Sequence, residues 1–276
     1  MKYRIVADST ANVYAENKVP FAYAPLKIVA GDTTWVDDKE LDVAGMVDAL
    51  KVYKGKTGTA CPSVGDWLEA FGDAEYVVGV CMTGTLSGTY NSAMLAKSDY
   101  EEAHPGRKVF IVDSLSAGPE EQLIVEKMEE LILAGKTFEE IEHMMTEYVK
   151  QTHLLFSLES LTNLVNNGRV SPIVAAAAGV LGMRIVGKAS DQGELQQLHK
   201  CRGEKKAIIT IYKEMKEHGY TGGKVRIAHC YNEEMASVLR DKIVADYPEA
   251  DVQILSTGGL CSYYAEKGGL MIGFEG

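Results

Sequence analysis

The sequence predicts an α/β protein of two domains: a parallel-sheet α/β domain over residues 1–150 and a mixed-sheet α/β domain over residues 151–276. Three observations carry this. Tyr76 to Met82 is a continuous apolar run, as in a strand buried on both faces. In the first half such runs alternate with apolar residues at helical spacing, the pattern of βαβ units. In the second half, Arg184–Ala189 and Leu195–Cys201 flank Asp191-Gln192-Gly193, a hairpin signal that the first half lacks.

Taken in order, Tyr3 to Ala7 is a short buried strand delivering Asp8 and Ser9 at its C-terminal end, and Phe21 to Val29 reads as a second strand. Leu41, Val43, Met46, Val47 and Leu50 recur at helical spacing. After the strand at Tyr76, a helix is expected from Ser87 to about Glu102, then a strand over Lys108–Asp113. Pro119 suits the first turn of a helix and Gly135 its C-terminal cap. Thr137-Phe138-Glu139-Glu140 is a capping box that opens another helix. Thr152–Phe156 begins the second half as a strand. Short helices are expected over Leu161–Asn166 and Ile173–Leu181. Beyond the hairpin come a helix (Glu204–His218), a strand (Val225–Cys230), a helix (Asn232–Asp246), a strand (Val252–Leu255) and a final short helix and strand.

Composition excludes several functions. The net charge of −11 repels phosphate backbones and anionic membrane surfaces, so nucleic acid is not an expected partner. No apolar run reaches the roughly 18 residues a membrane span needs. The N-terminal segment meets Asp8 too early for a signal-peptide core and reads as a strand. The cysteines, Cys61, Cys81, Cys201, Cys230 and Cys261, are odd in number and form no C-x-x-C pair. Neither a disulfide framework nor a zinc site is expected, and reduced thiols in a cytoplasm fit best. The six histidines fall at no metal-ligand spacing.

Three segments can carry chemistry. Thr83-Gly84-Thr85-Leu86-Ser87-Gly88-Thr89-Tyr90-Asn91-Ser92-Ala93 follows a buried strand and opens a helix. Ser87 can cap that helix, Gly88 lets a ligand approach the backbone, and the helix N-terminus favours an anion. A Ser cap without a ligand is the alternative. The segment lacks the Lys of a Walker A loop. In Lys56 to Ser63, Pro62 fixes an extended bend, Ser63 can cap the next helix and Thr59 stands in a rigid loop, either facing a ligand or facing water. In Leu161 to Val170, Asn167-Gly168 ends a helix and Arg169 follows, able to bind a carboxylate or to pair at the surface.

Together these segments resemble the DegV family. That family carries a T-S-x-P-S loop, an L-S-G-T-Y-x-S-A segment and an L-x-x-L-x-x-G-G-R-I segment. This sequence has Thr59-Ala60-Cys61-Pro62-Ser63, Leu86 through Ala93 and Leu161 through Val170, in the same order. Asp8-Ser9, Val112-Asp113-Ser114 and the stretch from Gly179 through Gly193 to Gly203 match as well, so the likeness runs nearly end to end. It implies a DegV-like two-domain fold that buries a long-chain fatty acid and holds its carboxylate on Thr59 and Ser87. Gly88 and Thr89 share the second motif and Arg169 lies in the third. It also implies that the protein is not the catalyst. It would present the fatty acid to a separate fatty-acid kinase that makes acyl phosphate for phospholipid synthesis in bacteria, and it would need no cofactor. Where the family has a His in an H-x-G-P-G stretch near the carboxylate, this sequence has Glu266-Lys267-Gly268-Gly269, so Glu266 is placed among the ligand-binding residues; it is either protonated or compensated by Lys267 beside the headgroup, or points away, or goes with a different ligand.

Two hydroxyls with no base nearby do not make a nucleophile, and no G-x-S-x-G elbow is present. The competing reading is an enzyme for a small anionic or phosphorylated substrate, with Ser87 at the helix N-terminus and Asp8 or Asp113 as base or metal ligand. A carrier requires a dry apolar cavity reaching Ser87, whereas an enzyme requires a wet cleft with converging carboxylates. A regulator sensing the fatty acid would differ from a carrier only in its partner surface.

Overall fold

The computed structural model describes residues 2–13, 18–171 and 182–276. The short helix expected over Ile173–Leu181 lies outside them. Strands β1 (Tyr3–Asp8), β2 (Phe21–Ala24), β6 (Tyr76–Cys81) and β7 (Lys108–Asp113) form a parallel sheet of order β2-β1-β6-β7. Alternate residues of β1 explain why its sequence is apolar throughout. Ile5 and Ala7 pack under helices α4 (Pro119–Leu133) and α5 (Phe138–Tyr148), while Val6 packs under α2 (Val64–Phe71) and α3 (Thr89–Ala103). The caps are those the sequence signals: Ser63 with Asp66 for α2, Pro119 in the first turn of α4, and Thr137 with Glu140 for α5. Gly135 follows the end of α4 at φ +74°, a conformation that favours glycine.

The expected strand Phe21–Val29 is two strands in two sheets. Pro25 has no N–H to continue a ladder, and the Leu26 N–H turns to donate to Ser9 Oγ at 3.1 Å. Beyond it, β3 (Lys27–Ala30), β4 (Thr33–Val36) and β5 (Thr57–Ala60) form an antiparallel sheet of order β4-β3-β5. The first half therefore does contain a hairpin. Its turn is Gly31-Asp32, with Gly31 at φ +59° taking the first position as that turn class demands. Thr59 accordingly stands on a strand opposite Ile28, not in a loop. This small sheet packs on α1 (Val43–Val52) through Ile28 and Met46.

The remaining strands are β8 (Thr152–Leu158), β9 (Met183–Ala189), β10 (Leu195–Arg202), β11 (Val225–His229), β12 (Val252–Ser256) and β13 (Leu270–Glu275). They form a mixed sheet of order β10-β9-β8-β13-β11-β12, in which only β11 and β12 run parallel. The hairpin at Asp191-Gln192-Gly193 joins β9 to β10 as expected. Helices α7 (Glu204–Glu217) and α8 (Glu233–Asp246) cover one face through Ile208, Ile211, Met215, Leu239 and Ile243. The other face meets α4. A Cβ at Gly273 would stand 2.5 Å from the Pro119 carbonyl carbon, so only glycine lets β13 approach the start of that helix. Arg226, 1% exposed on β11, places Nε 2.7 Å and Nη2 2.6 Å from the two oxygens of Glu126 on α4. One helix thus serves as a wall for both larger sheets. The last helix, α9 (Gly259–Ala265), starts on the buried Asp37 carboxylate, which accepts from the Gly259 and Leu260 N–H groups. A negative charge there satisfies two helix-end donors and suits the helix dipole.

Candidate functional site

The sheets and α9 enclose a cavity of about 330 Å³, within the roughly 300–1,000 Å³ usual for small-molecule sites. Its wall is mainly apolar. Leu154, Phe156 and Leu158 occupy alternate positions of β8 and so share one face of the strand, which turns them all into the cavity. Leu164 of α6 (Thr162–Asn166), Leu195 and Met271 add to this side. Leu26, Met82 and Leu86 contribute from the first half and Leu260 from α9. Most of these side chains are buried, with Leu154 only 3% and Leu260 only 2% exposed.

The polar part of the wall is made by Thr59, Ser87, Gly88, Arg169 and Tyr264, with the buried Thr10 deeper among the strand ends. The structure thus brings Thr59, Ser87, Gly88 and Arg169 to one cavity. The Thr59 and Ser87 segments abut. Ser92 Oγ donates to the Pro62 carbonyl at 2.7 Å, and a methyl at Gly88 would come within 3.2 Å of Cys61 Sγ. Ala60, Cys61 and Gly88 are exposed, so this end of the cavity reaches solvent. Among the described residues Arg169 has no carboxylate partner; its Nη1 donates to the Asn167 carbonyl at 3.3 Å.

Ser87 is not the helix cap. Gly88 holds that position and has no side chain to cap with. Ser87 Oγ instead lies 2.7 Å from Thr89 Oγ1 and accepts from the Thr89 N–H at 3.3 Å. Thr89 is fully buried and does not reach the cavity wall, so it stands behind Ser87. Glu266 is likewise not brought to the cavity. It turns away at φ +54°, and its Oε1 accepts from Ser160 Oγ at 2.9 Å and the Asn163 N–H at 3.3 Å. Its charge caps the start of α6.

The carboxylates of the competing enzyme reading are committed to structure. Asp8 accepts from the Met82 N–H at 2.8 Å and from the Thr10 N–H at 2.9 Å, and Asp113 accepts from the Gly84 and Leu115 N–H groups. The Thr10 hydroxyl faces both Asp8 and Glu121. One hydroxyl proton cannot serve two acceptors, so one carboxyl must carry its own. Burial pushes Asp8 up to about 6 and Glu121 well above the usual carboxylate range, which puts that proton on Glu121. Among the described residues no cluster of His, Cys, Asp and Glu could hold a metal, and no helix is long and apolar enough to cross a membrane. His229 ends β11 buried, with Nδ1 taken by the Asn232 N–H.

Fold and cavity together define an α/β protein with an apolar chamber closed by hydroxyls and one cation. The model of the DegV family matches residues 2–275, and the chain belongs to that family. It is 43% identical to a DegV domain-containing protein of Streptococcus pneumoniae, with 100% of this chain and 99% of that protein aligned. A DegV family protein from Eubacterium eligens, solved loaded with heptadecanoic acid, superposes with a TM-score of 0.97 at 44% identity, covering 99% of both chains. The Streptococcus pneumoniae fatty acid kinase B3 protein, solved loaded with linoleic acid, gives a TM-score of 0.97 at 43% identity, covering 100% of this chain and 99% of that one.

The sequence reading missed Tyr264, which shares the cavity wall with Thr59. The only signal for it was a pair of adjacent tyrosines in the final short helix.

Proposed function

We propose that this protein binds a long-chain fatty acid as a carrier, without catalysis of its own. The acyl chain lies along Leu154, Phe156 and Leu158, and the carboxylate meets Thr59 and Ser87 at the end that reaches solvent. Gly88 admits the headgroup, Thr89 orients Ser87, and Arg169 supplies the positive charge. The observation that carries this reading is a buried apolar wall ending in hydroxyls and in a cation that, among the described residues, has no carboxylate partner. Each buried methylene contributes about 0.8 kcal/mol, so the chain supplies affinity and the headgroup supplies orientation. The fatty acids carried by the Eubacterium and Streptococcus relatives support the ligand class. The Streptococcus relative's designation as a fatty acid kinase protein supports presentation of the bound acid to a separate kinase, in the cytoplasm. No cofactor enters this role.

Native mass spectrometry of the purified protein tests the reading. A stoichiometric fatty acid is expected on the parent protein and is expected to be lost or strongly reduced in Ser87→Ala and in Thr59→Ala. Replacing one hydrogen bond to a charged group costs about 1.5–3 kcal/mol, or roughly 10- to 150-fold in affinity. A protein that stays empty through a panel of saturated and unsaturated fatty acids refutes the ligand. Unchanged loading in both variants refutes the site.

A further inference from the structure

Thr59 does not stand alone on the cavity wall. Tyr264 Oη lies 2.9 Å from Thr59 Oγ1, and both line the cavity. A second such pair lies next to it, with Thr57 Oγ1 2.7 Å from Tyr263 Oη, which accepts from Asn167 Nδ2 at 2.8 Å. Thr57 and Thr59 share one face of β5, so two hydroxyl pairs join that strand to α9. The pairs differ in where they face. Tyr263 is 2% exposed and off the cavity, whereas Tyr264 is half-buried and lines it.

Each hydroxyl has one proton. If the phenol donates to Thr59, the Thr59 proton is left over for a guest; if Thr59 donates to the phenol, it has none to give. Burial raises the Tyr264 phenol above its ordinary value, against the Thr59 hydrogen bond and the nearby Arg169 guanidinium, so the phenol keeps its proton. Arg169 is a donor only. It lines the same cavity as Tyr264, and its positive charge favours the arrangement in which the phenol points its own proton away, toward Thr59.

We propose that Tyr264 is a positioning residue: its phenol donates to Thr59 Oγ1 and thereby directs the Thr59 proton at the bound carboxylate. The inference rests on the fatty-acid reading above. Tyr264 and Thr59 form a pair of donors polarised toward the headgroup, the phenol's bond strengthening the one that Thr59 makes. Without the phenol, Thr59 rotates freely and spends part of its time donating elsewhere.

Calorimetric titration of oleic acid and of its methyl ester into the parent, Tyr264→Phe, Thr59→Ala and the double variant tests this, with Tyr263→Phe as a control on α9. Oleic acid is expected to bind Tyr264→Phe about tenfold more weakly, the effect of one hydrogen bond in a charged network. The double variant should bind no more weakly than Thr59→Ala, and methyl ester affinity should not move. Carboxyl ¹³C NMR of bound oleic acid should show the pH midpoint of the headgroup rising in Tyr264→Phe but not in Tyr263→Phe. Parent-like affinity and midpoint in Tyr264→Phe overturn the proposal. Losses that add in the double variant also overturn it, because they mean that Tyr264 acts without Thr59. A parent protein that does not bind oleic acid removes the fatty-acid reading itself, before any variant is compared.

Discussion

Replacing Glu120 with Gln should stabilise the protein at alkaline pH and change little in acid. Glu120 stands in the first turn of α4, 3% exposed, where the helix enters the space between the two larger sheets. Its Oε1 accepts from Thr152 Oγ1 at 2.8 Å. Burial raises the carboxyl from its ordinary 4.5 to about 7, with the Thr152 hydrogen bond opposing. Because the folded value is the higher one, the neutral acid favours the fold. That stability is fully present below pH 4.5, falls as pH rises, and is gone above about pH 7. Each pH unit of displacement is worth about 1.4 kcal/mol, so the span of roughly 2.5 units amounts to about 3 kcal/mol. Gln keeps the shape and the acceptor but cannot ionise. Urea unfolding of both proteins at intervals from pH 4 to 9 should give curves that meet in acid and separate by about 3 kcal/mol above pH 7, with the variant the more stable. A constant difference across that range, or a less stable variant at pH 8, would refute the assignment of a buried, protonatable carboxyl.

Two further outcomes follow from the packing. Glu126→Ala leaves Arg226 buried with Asp251 as its remaining carboxylate partner, at 2.8 Å. It should cost about 3 kcal/mol, the low end for a broken buried pair, read as a lowered urea midpoint with an unchanged slope. Phe156→Ala enlarges the cavity from a strand position 5% exposed. It should lower stability by about 3–5 kcal/mol without ligand. Saturating fatty acid should recover part of that loss in a thermal melt, because it refills the space, and no recovery would place Phe156 outside the ligand's path.

How much of this was legible in sequence depends on the range of the forces involved. β6 could be read because a strand buried on both faces is apolar at every position, and α2, α4 and α5 because their caps are local chemistry. The β4-β3-β5 sheet could not. Thr57-Gly58-Thr59-Ala60 is short and weakly apolar, and it becomes a strand only by pairing with Lys27–Ala30, some thirty residues away. The split at Pro25 was visible in principle, since proline interrupts a ladder. Thr59, Ser87, Gly88 and Arg169 were found through motifs and meet on one cavity. For Glu266 the motif left open whether it meets the headgroup or points away. The positive φ that turns it onto Ser160 and Asn163 is a backbone fact with no signature in the side chain. Tyr264 was missed because its importance lies in a single contact across 205 residues.

The placement of α4 has a kinetic consequence. Prying the two larger sheets apart would strip Arg226 from Glu126 and break the contacts of Glu120 with Thr152 and of Tyr148 with Glu275. These contacts would have to break together with the close packing of Gly273 on Pro119, which makes a clamshell opening a rare event. Among the described residues the exposed part of the wall is the rim at Ala60, Cys61 and Gly88, so exchange of a guest is expected past this rim, where side chains turn over in nanoseconds. Release of a long acyl chain by that path is a threading motion, with the carboxylate leaving first and each methylene following. Residence time should therefore lengthen with chain length more steeply than a hinge would allow.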